Sequence, residues 1–177
     1  MAKINGVEVK NLKEFTGHEG VCCQGNVYKD GKKLGFWSQD GWGGPDMFDF
    51  DESLLLDAGR DYQAGFPDDY KYREFAADAD CFLYAVVKLK YIESDCKKAF
   101  RKGWKAVFYM NDGFHYSHLP LEKVMTVSEV ETEYPRQVAE MRSAMFKNGH
   151  SEHVFTPGDF DLTVDKDHPA PEYLKSN

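Results

Sequence analysis

Five carboxylates within residues 40–52, Asp40, Asp46, Asp49, Asp51 and Glu52, are the groups in this chain best suited to hold a hard cation, because Mg²⁺ and Ca²⁺ take clustered oxygen donors. Asp49 and Asp51 fall on one side of an extended segment, and with Asp40 they form the candidate metal set of a metal-dependent hydrolase or nuclease. Their spacing matches no EF-hand loop. The surrounding Gly41, Gly43, Gly44 and Pro45 make a shaped loop, since glycine takes positive φ freely and proline fixes its own. It lacks the Lys and Ser/Thr of a phosphate-binding loop. The plainer reading is that Asp51 caps a helix through Leu54, Leu55 and Leu56 while the other acids are solvated.

Nucleophilic chemistry finds little support. Cys22 and Cys23 follow His18 and Glu19, but nothing in the spacing makes a thiol and base of them, and Gly-x-Ser-x-Gly, Cys-x-x-Cys and His-Glu-x-x-His are all absent. On a strand, His115 and His118 point to opposite faces, which argues against a shared ion. Cys81 and Cys96 on one helix would be about 22 Å apart, far beyond the reach of a disulfide. Reduced thiols of a cytoplasmic protein are expected, and no cofactor is implied.

Charge is distributed unevenly. Residues 40–80 hold twelve Asp or Glu against three Lys or Arg, a local net of −9, whereas residues 88–105 hold seven Lys or Arg against two acids, +5, within a total of −8. The overall sign argues against a nonspecific nucleic-acid binder, which needs a basic footprint. An acidic stretch interleaved with aromatics suits a basic protein partner instead, since tyrosine gives large contact area at low entropic cost. Trp42, Asp46, Asp49, Asp61, Asp68, Asp69, Tyr70 and Tyr72 are its candidate contact residues. Lys97, Lys98, Arg101, Lys102 and Lys105 are candidates for direct contact with RNA phosphates, against the simpler account that cations suit a helix C-terminus.

The elements that must position these groups follow from periodicity. Residues 78–103 carry Phe82, Ala85, Val86, Leu89, Ile92, Cys96, Ala99 and Phe100 at three- and four-residue steps, which predicts a long central helix. Asn5-Gly6, Asp30-Gly31 and Asp112-Gly113 are hairpin turn signals. Pairing outward from 30–31 sets Val27 against Leu34 and Gly25 against Phe36, with Trp37 on the polar face. Pairing outward from 112–113 sets Met110 against His115 and Tyr109 against Tyr116. Ser128 and Glu131 have capping-box spacing, Pro135 restarts the helix, and Val138, Met141 and Met145 form its buried stripe, with Asn148-Gly149 ending it and His150 and His153 beyond, favourable to the helix C-terminus. The expected fold is α+β: an antiparallel sheet built from hairpins, a long central helix and a second C-terminal helix packed on it. Residues 1–165 would form one domain and 166–177 a polar tail. A hydrophobic content of 42% excludes a disordered chain. No apolar run approaches the about 20 residues of a membrane span, and residues 1–6 show no secretory leader.

The N-terminal third carries a resemblance. The run Asn11-Leu12-Lys13-Glu14-Phe15-Thr16-Gly17-His18-Glu19-Gly20, then Gln24-Gly25-Asn26-Val27-Tyr28, Gly31-Lys32-Lys33-Leu34-Gly35, and Trp42-Gly43-Gly44 on to Phe48, resembles small accessory proteins of bacteriophages and mobile elements of Gram-positive bacteria, some of which are CRISPR–Cas inhibitors. The resemblance brings no catalytic residues with it. It implies a protein of the bacterial host cytoplasm that binds a defence enzyme, such as a Cas9-type effector with its guide RNA. The alternatives are the metal-dependent hydrolase and a phage structural or assembly protein.

Overall fold

Hairpins and one long helix produce the α+β architecture expected from the sequence. The computed structural model describes residues 1–17, 20–41, 44–112, 115–145 and 150–175. Strands β1 (Lys3–Ile4), β2 (Val7–Thr16), β3 (Val21–Lys29), β4 (Lys32–Gln39) and β5 (Met47–Phe48) come first. Helices α1 (Leu56–Ala64) and α2 (Ala79–Phe100) follow, then β6 (Ala106–Asn111), β7 (Tyr116–Leu121), α3 (Val127–Glu133), α4 (Pro135–Ser143), β8 (Ser151–Phe155) and β9 (Asp161–Leu162). The chain divides into two compact units, Met1–Lys90 with Phe160–Ala170, and Tyr91–Asp159 with Pro171–Asn177. Each unit has its own sheet, where the sequence alone suggested one.

In the first unit the sheet order is β5-β4-β3-β2-β1-β9, antiparallel except where β9 lies parallel to β1. Both early turns form as their residues dictate: Asn5 and Gly6 sit at φ 49° and 75°, Asp30 and Gly31 at 51° and 78°. The β3–β4 register departs from simple outward pairing. Tyr28 faces Lys33, but a bulge then sets Val27 against Gly35 and Gly25 against Trp37. One extra residue on β4 exchanges the faces, so Trp37, expected on the polar side, is buried at 2% exposure. The core comprises Ile4, Val7, Val9 and Val27 from the sheet with Tyr62, Phe66, Phe82, Val86 and Leu89 from the helical side. Tyr62 meets Phe66 edge-on at 5.0 Å and lies 5.4 Å from Phe82.

The second unit holds the sheet β7-β6-β8, antiparallel throughout. Here the hairpin register is displaced by two residues from outward pairing, with Met110 opposite Ser117 and Tyr109 opposite His118. The cause is local. Asp112 closes a longer loop by donating its N–H to the His115 carbonyl at 3.1 Å and accepting the His115 N–H at 2.7 Å. Ala106, Phe108, Met110 and Leu121 pack with Val130, Val138, Met141 and Met145, so the α4 stripe is as expected. The capping box begins two residues earlier than its sequence signal: Thr126 and Glu129 exchange the reciprocal bonds, at 3.2 and 2.7 Å, and Ser128 lies inside α3. Asn148 and Gly149 lie outside the described residues. His150 pairs with Glu152 at 2.8 Å, and His153 is on β8 against Phe155 and Tyr173, so neither serves a helix terminus. Residues 166–175 are not a solvated tail, because Ala170, Tyr173 and Leu174 are buried.

α2 spans 22 residues and contributes buried Phe82, Leu83, Ala85, Val86, Val87 and Leu89 to the first unit and Ile92, Glu93, Cys96 and Ala99 to the second. Gly103 at φ 92° turns the chain out of it.

Asn5 does more than turn the chain. Its Nδ2 donates to the carbonyls of Ala58 at 3.1 Å and Val164 at 2.9 Å, and its Oδ1 accepts the Val164 N–H at 2.7 Å. Replacement by glycine keeps the positive φ and removes only this clamp. Urea denaturation of Asn5→Gly is expected to show a loss of about 2–4 kcal/mol, the sum of three partly buried hydrogen bonds. A loss near zero would assign the residue to turn geometry alone.

Candidate functional site

Acids of the first unit dominate the surface of the protein. Counting by unit, 12 Lys or Arg stand against 19 Asp or Glu in the first, a net of −7, and 10 against 11 in the second, −1. Of the twelve carboxylates in residues 40–80, all but Asp46 are exposed. Among the described residues, six of the eleven large apolar side chains left exposed also fall between 47 and 84: Met47, Leu54, Leu56, Tyr72, Phe75 and Tyr84. Exposed apolar side chains and exposed carboxylates are thus interleaved along the stretch of residues 47–84.

An open cleft of about 460 Å³ lies within it, where Asp46, Glu52, Asp78 and Asp80 meet Phe48, Leu56 and Arg60. Two walls define it, the first turns of α1 and the segment 77–80 that leads into α2. Gly59 brings them together: a Cβ there would lie 2.6 Å from the Ala77 carbonyl oxygen, so any side chain would force the walls apart. Asp51 caps the short 3-10 turn Glu52–Leu55 that leads into α1, its carboxylate accepting the Ser53 N–H at 2.9 Å; the Ser53 side chain first, and then that N–H bond, hold it below its ordinary pKa. Asp80, within the first turn of α2, accepts the Cys81 N–H at 2.7 Å, at a position where negative charge is favoured.

Asp46 is the constrained member. The buried Trp37 indole N–H donates to its Oδ2 at 2.6 Å. Burial pushes the carboxyl pKa up; the Trp37 bond opposes this, and Asp80, Asp40 and Glu52 add to it. The same acids act on nearby thiols: burial, then Asp80, Asp78 and Asp46, push Cys81 to about 11, and burial, then Asp46 and Glu14, push Cys23 to about 11. Neither thiol is a nucleophile at neutral pH. Cys22 donates to the Asp40 carbonyl at 2.8 Å, and His18 and Glu19 lie outside the described residues.

The remaining candidates separate into groups. Phe66, Tyr70 and Tyr72 form a series from core to solvent, Phe66 stacking on Tyr70 at 4.7 Å and Tyr70 meeting Tyr72 edge-on at 6.1 Å. Asp68 on this segment pairs with Arg73 at 3.4 Å, and Asp61 and Asp69 are exposed. Asp49 is tied to β4 by a bond from the Phe36 N–H. Trp42 lies outside the described residues. The metal set is not assembled: Asp49 and Asp51 are engaged by backbone N–H groups, and among the described residues no three His, Cys, Asp or Glu are grouped to hold an ion. Lys97 and Lys98 are also engaged, with Glu93 at 2.8 Å and Asp95 at 3.5 Å on their own helix, which leaves Arg101, Lys102 and Lys105 as the exposed cations of that helix end without an ion pair among the described residues. Sequence reasoning missed Arg60, Asp78 and Asp80, whose signal was the helical Gly59.

A carboxyl with a raised folded-state pKa is equally stable in both states at low pH, and the protein loses stability as pH rises from the ordinary aspartate value through the folded one. Asp46→Asn keeps an acceptor for Trp37 and removes the charge. Thermal melts from pH 3 to 7 are expected to show the variant gaining on the native protein as pH rises through that window; parallel profiles would show that Asp46 carries no such penalty. No protein-family model, curated protein or solved structure matches this chain.

Proposed function

We propose that this protein is a binding protein whose acidic, partly apolar surface docks on the basic nucleic-acid-binding surface of a bacterial defence enzyme, a Cas9-type effector ribonucleoprotein being the candidate partner, and that it acts there as a phage- or mobile-element-encoded inhibitor. The observation that carries the reading is the exposure of eleven carboxylates in residues 40–80 against three cations. A folded protein bears the self-repulsion of such a surface at some cost in stability, and a partner of opposite sign relieves it. A channel built for phosphates is such a partner, and an acidic surface that fills it excludes the nucleic acid by competition.

The apolar residues Met47, Leu54, Phe75 and Tyr84, 47 to 69% exposed, supply what charge alone does not. Exposed ion pairs contribute little each, whereas desolvated aromatic and aliphatic contacts carry most of the binding energy of an interface. Charge then steers the approach and the apolar side chains hold the complex.

The side chains of Asp61 and Asp69 have no hydrogen-bond or ion-pair partner among the described residues, so reversing them leaves the fold intact. Binding to a guide-loaded Cas9-type effector, measured by calorimetry at about 50 mM and about 500 mM salt, is expected to weaken strongly at the higher concentration because exposed charges are screened. The Asp61→Lys/Asp69→Lys variant is expected to bind at least about tenfold more weakly at low salt. Failure of the native protein to bind this effector or other nucleic-acid enzymes of bacterial defence sinks the proposal.

A further inference from the structure

The second unit has a site of opposite character at the end of α2. Phe100, Trp104, Lys105, Val124 and Pro157 line an open groove of about 690 Å³. The chain that forms it is held at two points: the Trp104 N–H donates to the Ala99 carbonyl at 3.4 Å and the Lys105 N–H to the Leu121 carbonyl at 2.9 Å. Trp104 is half-buried and Val124 is 64% exposed, so the apolar wall faces solvent.

Lys105 lines the groove, and Arg101 and Lys102 lie in the chain between two of its lining residues, Phe100 and Gly103; all three are exposed and none is in an ion pair among the described residues. Their neighbours differ. Lys123, also on the groove, is tied to Glu133 at 2.6 Å, and Lys97 and Lys98 are paired along the helix. One carboxylate, Glu122, borders the groove on the β7 side, which leaves the α2 side as its cationic edge. Cations at a helix C-terminus suit the helix dipole, and that accounts for charge here. It does not account for a half-buried tryptophan on an open groove beside the charge in a unit whose net is −1.

We propose that this groove binds a short segment of single-stranded nucleic acid, one base lying against Trp104 while flanking phosphates meet Arg101, Lys102 and Lys105. An aromatic face beside clustered free cations is the combination that single strands use, because every base has a π-face and every nucleotide a charge. A duplex hides its bases from such a wall, and a mononucleotide has too few phosphates to engage three separated side chains. The inference is independent of the acidic surface and stands or falls without it.

Fluorescence anisotropy with labelled oligouridylate and oligothymidylate of about 12 nucleotides tests it on the full chain. The expected result is binding that falls about fifteenfold between about 50 and about 200 mM salt, because three phosphate contacts on a single strand give a log–log slope of about −2. Preference for one oligonucleotide identifies RNA or DNA as the natural strand. Trp104→Ala is expected to weaken binding about tenfold or more and Trp104→Phe much less. Arg101→Glu/Lys102→Glu, both on exposed positions that leave folding unchanged, abolishes it. Three results overturn the proposal: no binding of either oligonucleotide, heparin competing equally with no effect of Trp104→Ala or the double reversal, or a mononucleotide competing as well as the strand.

Discussion

The Asn5 side chain holds together what the acidic surface needs. A residue forced into positive φ by a tight turn spends its amide on the backbone of two distant segments, at Ala58 in α1 and at Val164 near β9. α1 is thereby fastened to the sheet. With α1 in place, Gly59 admits the Ala77 carbonyl and the segment leading into α2 closes against it. Asp78 and Asp80 then face Asp46 and Glu52 across the cleft. Hydrogen bonds of modest individual strength thus determine where four carboxylates come together.

The acids are of two kinds. Asp49, Asp51 and Asp80 are engaged by backbone N–H groups, and each has a structural duty that needs no partner protein. Asp57, Asp61, Asp69 and Glu74 have no comparable duty and their side chains are exposed to solvent. The second unit balances its charges internally. Arg142 alone joins Glu131 and Glu152, and among the described residues its exposed cations without an ion pair are concentrated at residues 101–105.

Local chemistry was legible in the sequence and non-local geometry was not. Asn5-Gly6 and Asp30-Gly31 announced their turns because positive φ is a local requirement, and the apolar period of α2 announced a helix because burial repeats with the helical turn. Trp37 was misplaced because a bulge on β4 leaves no mark in the alternation, and the β6–β7 register slipped because Asp112 builds a longer loop than Asp-Gly implies. The division of the strands into two sheets depends on long-range pairing such as β1 with β9, which no local pattern encodes. At the site, Asp46 stood out by its loop, whereas Asp78 and Asp80 join it only through the packing of α1. The residues 166–175 looked polar because three buried side chains, Ala170, Tyr173 and Leu174, are spaced too irregularly to form a stripe.

The most direct measurement of the central claim is zero-length carbodiimide cross-linking of the protein to a guide-loaded Cas9-type effector, read by mass spectrometry. The reagent joins a carboxylate to a lysine amine only where the two are in contact. The account predicts that cross-links concentrate on Asp57, Asp61, Asp69, Asp78 and their neighbours in residues 40–80, to lysines of the effector's nucleic-acid channel. Cross-links spread evenly over the 30 carboxylates of the chain, or confined to residues 106–177, would contradict it.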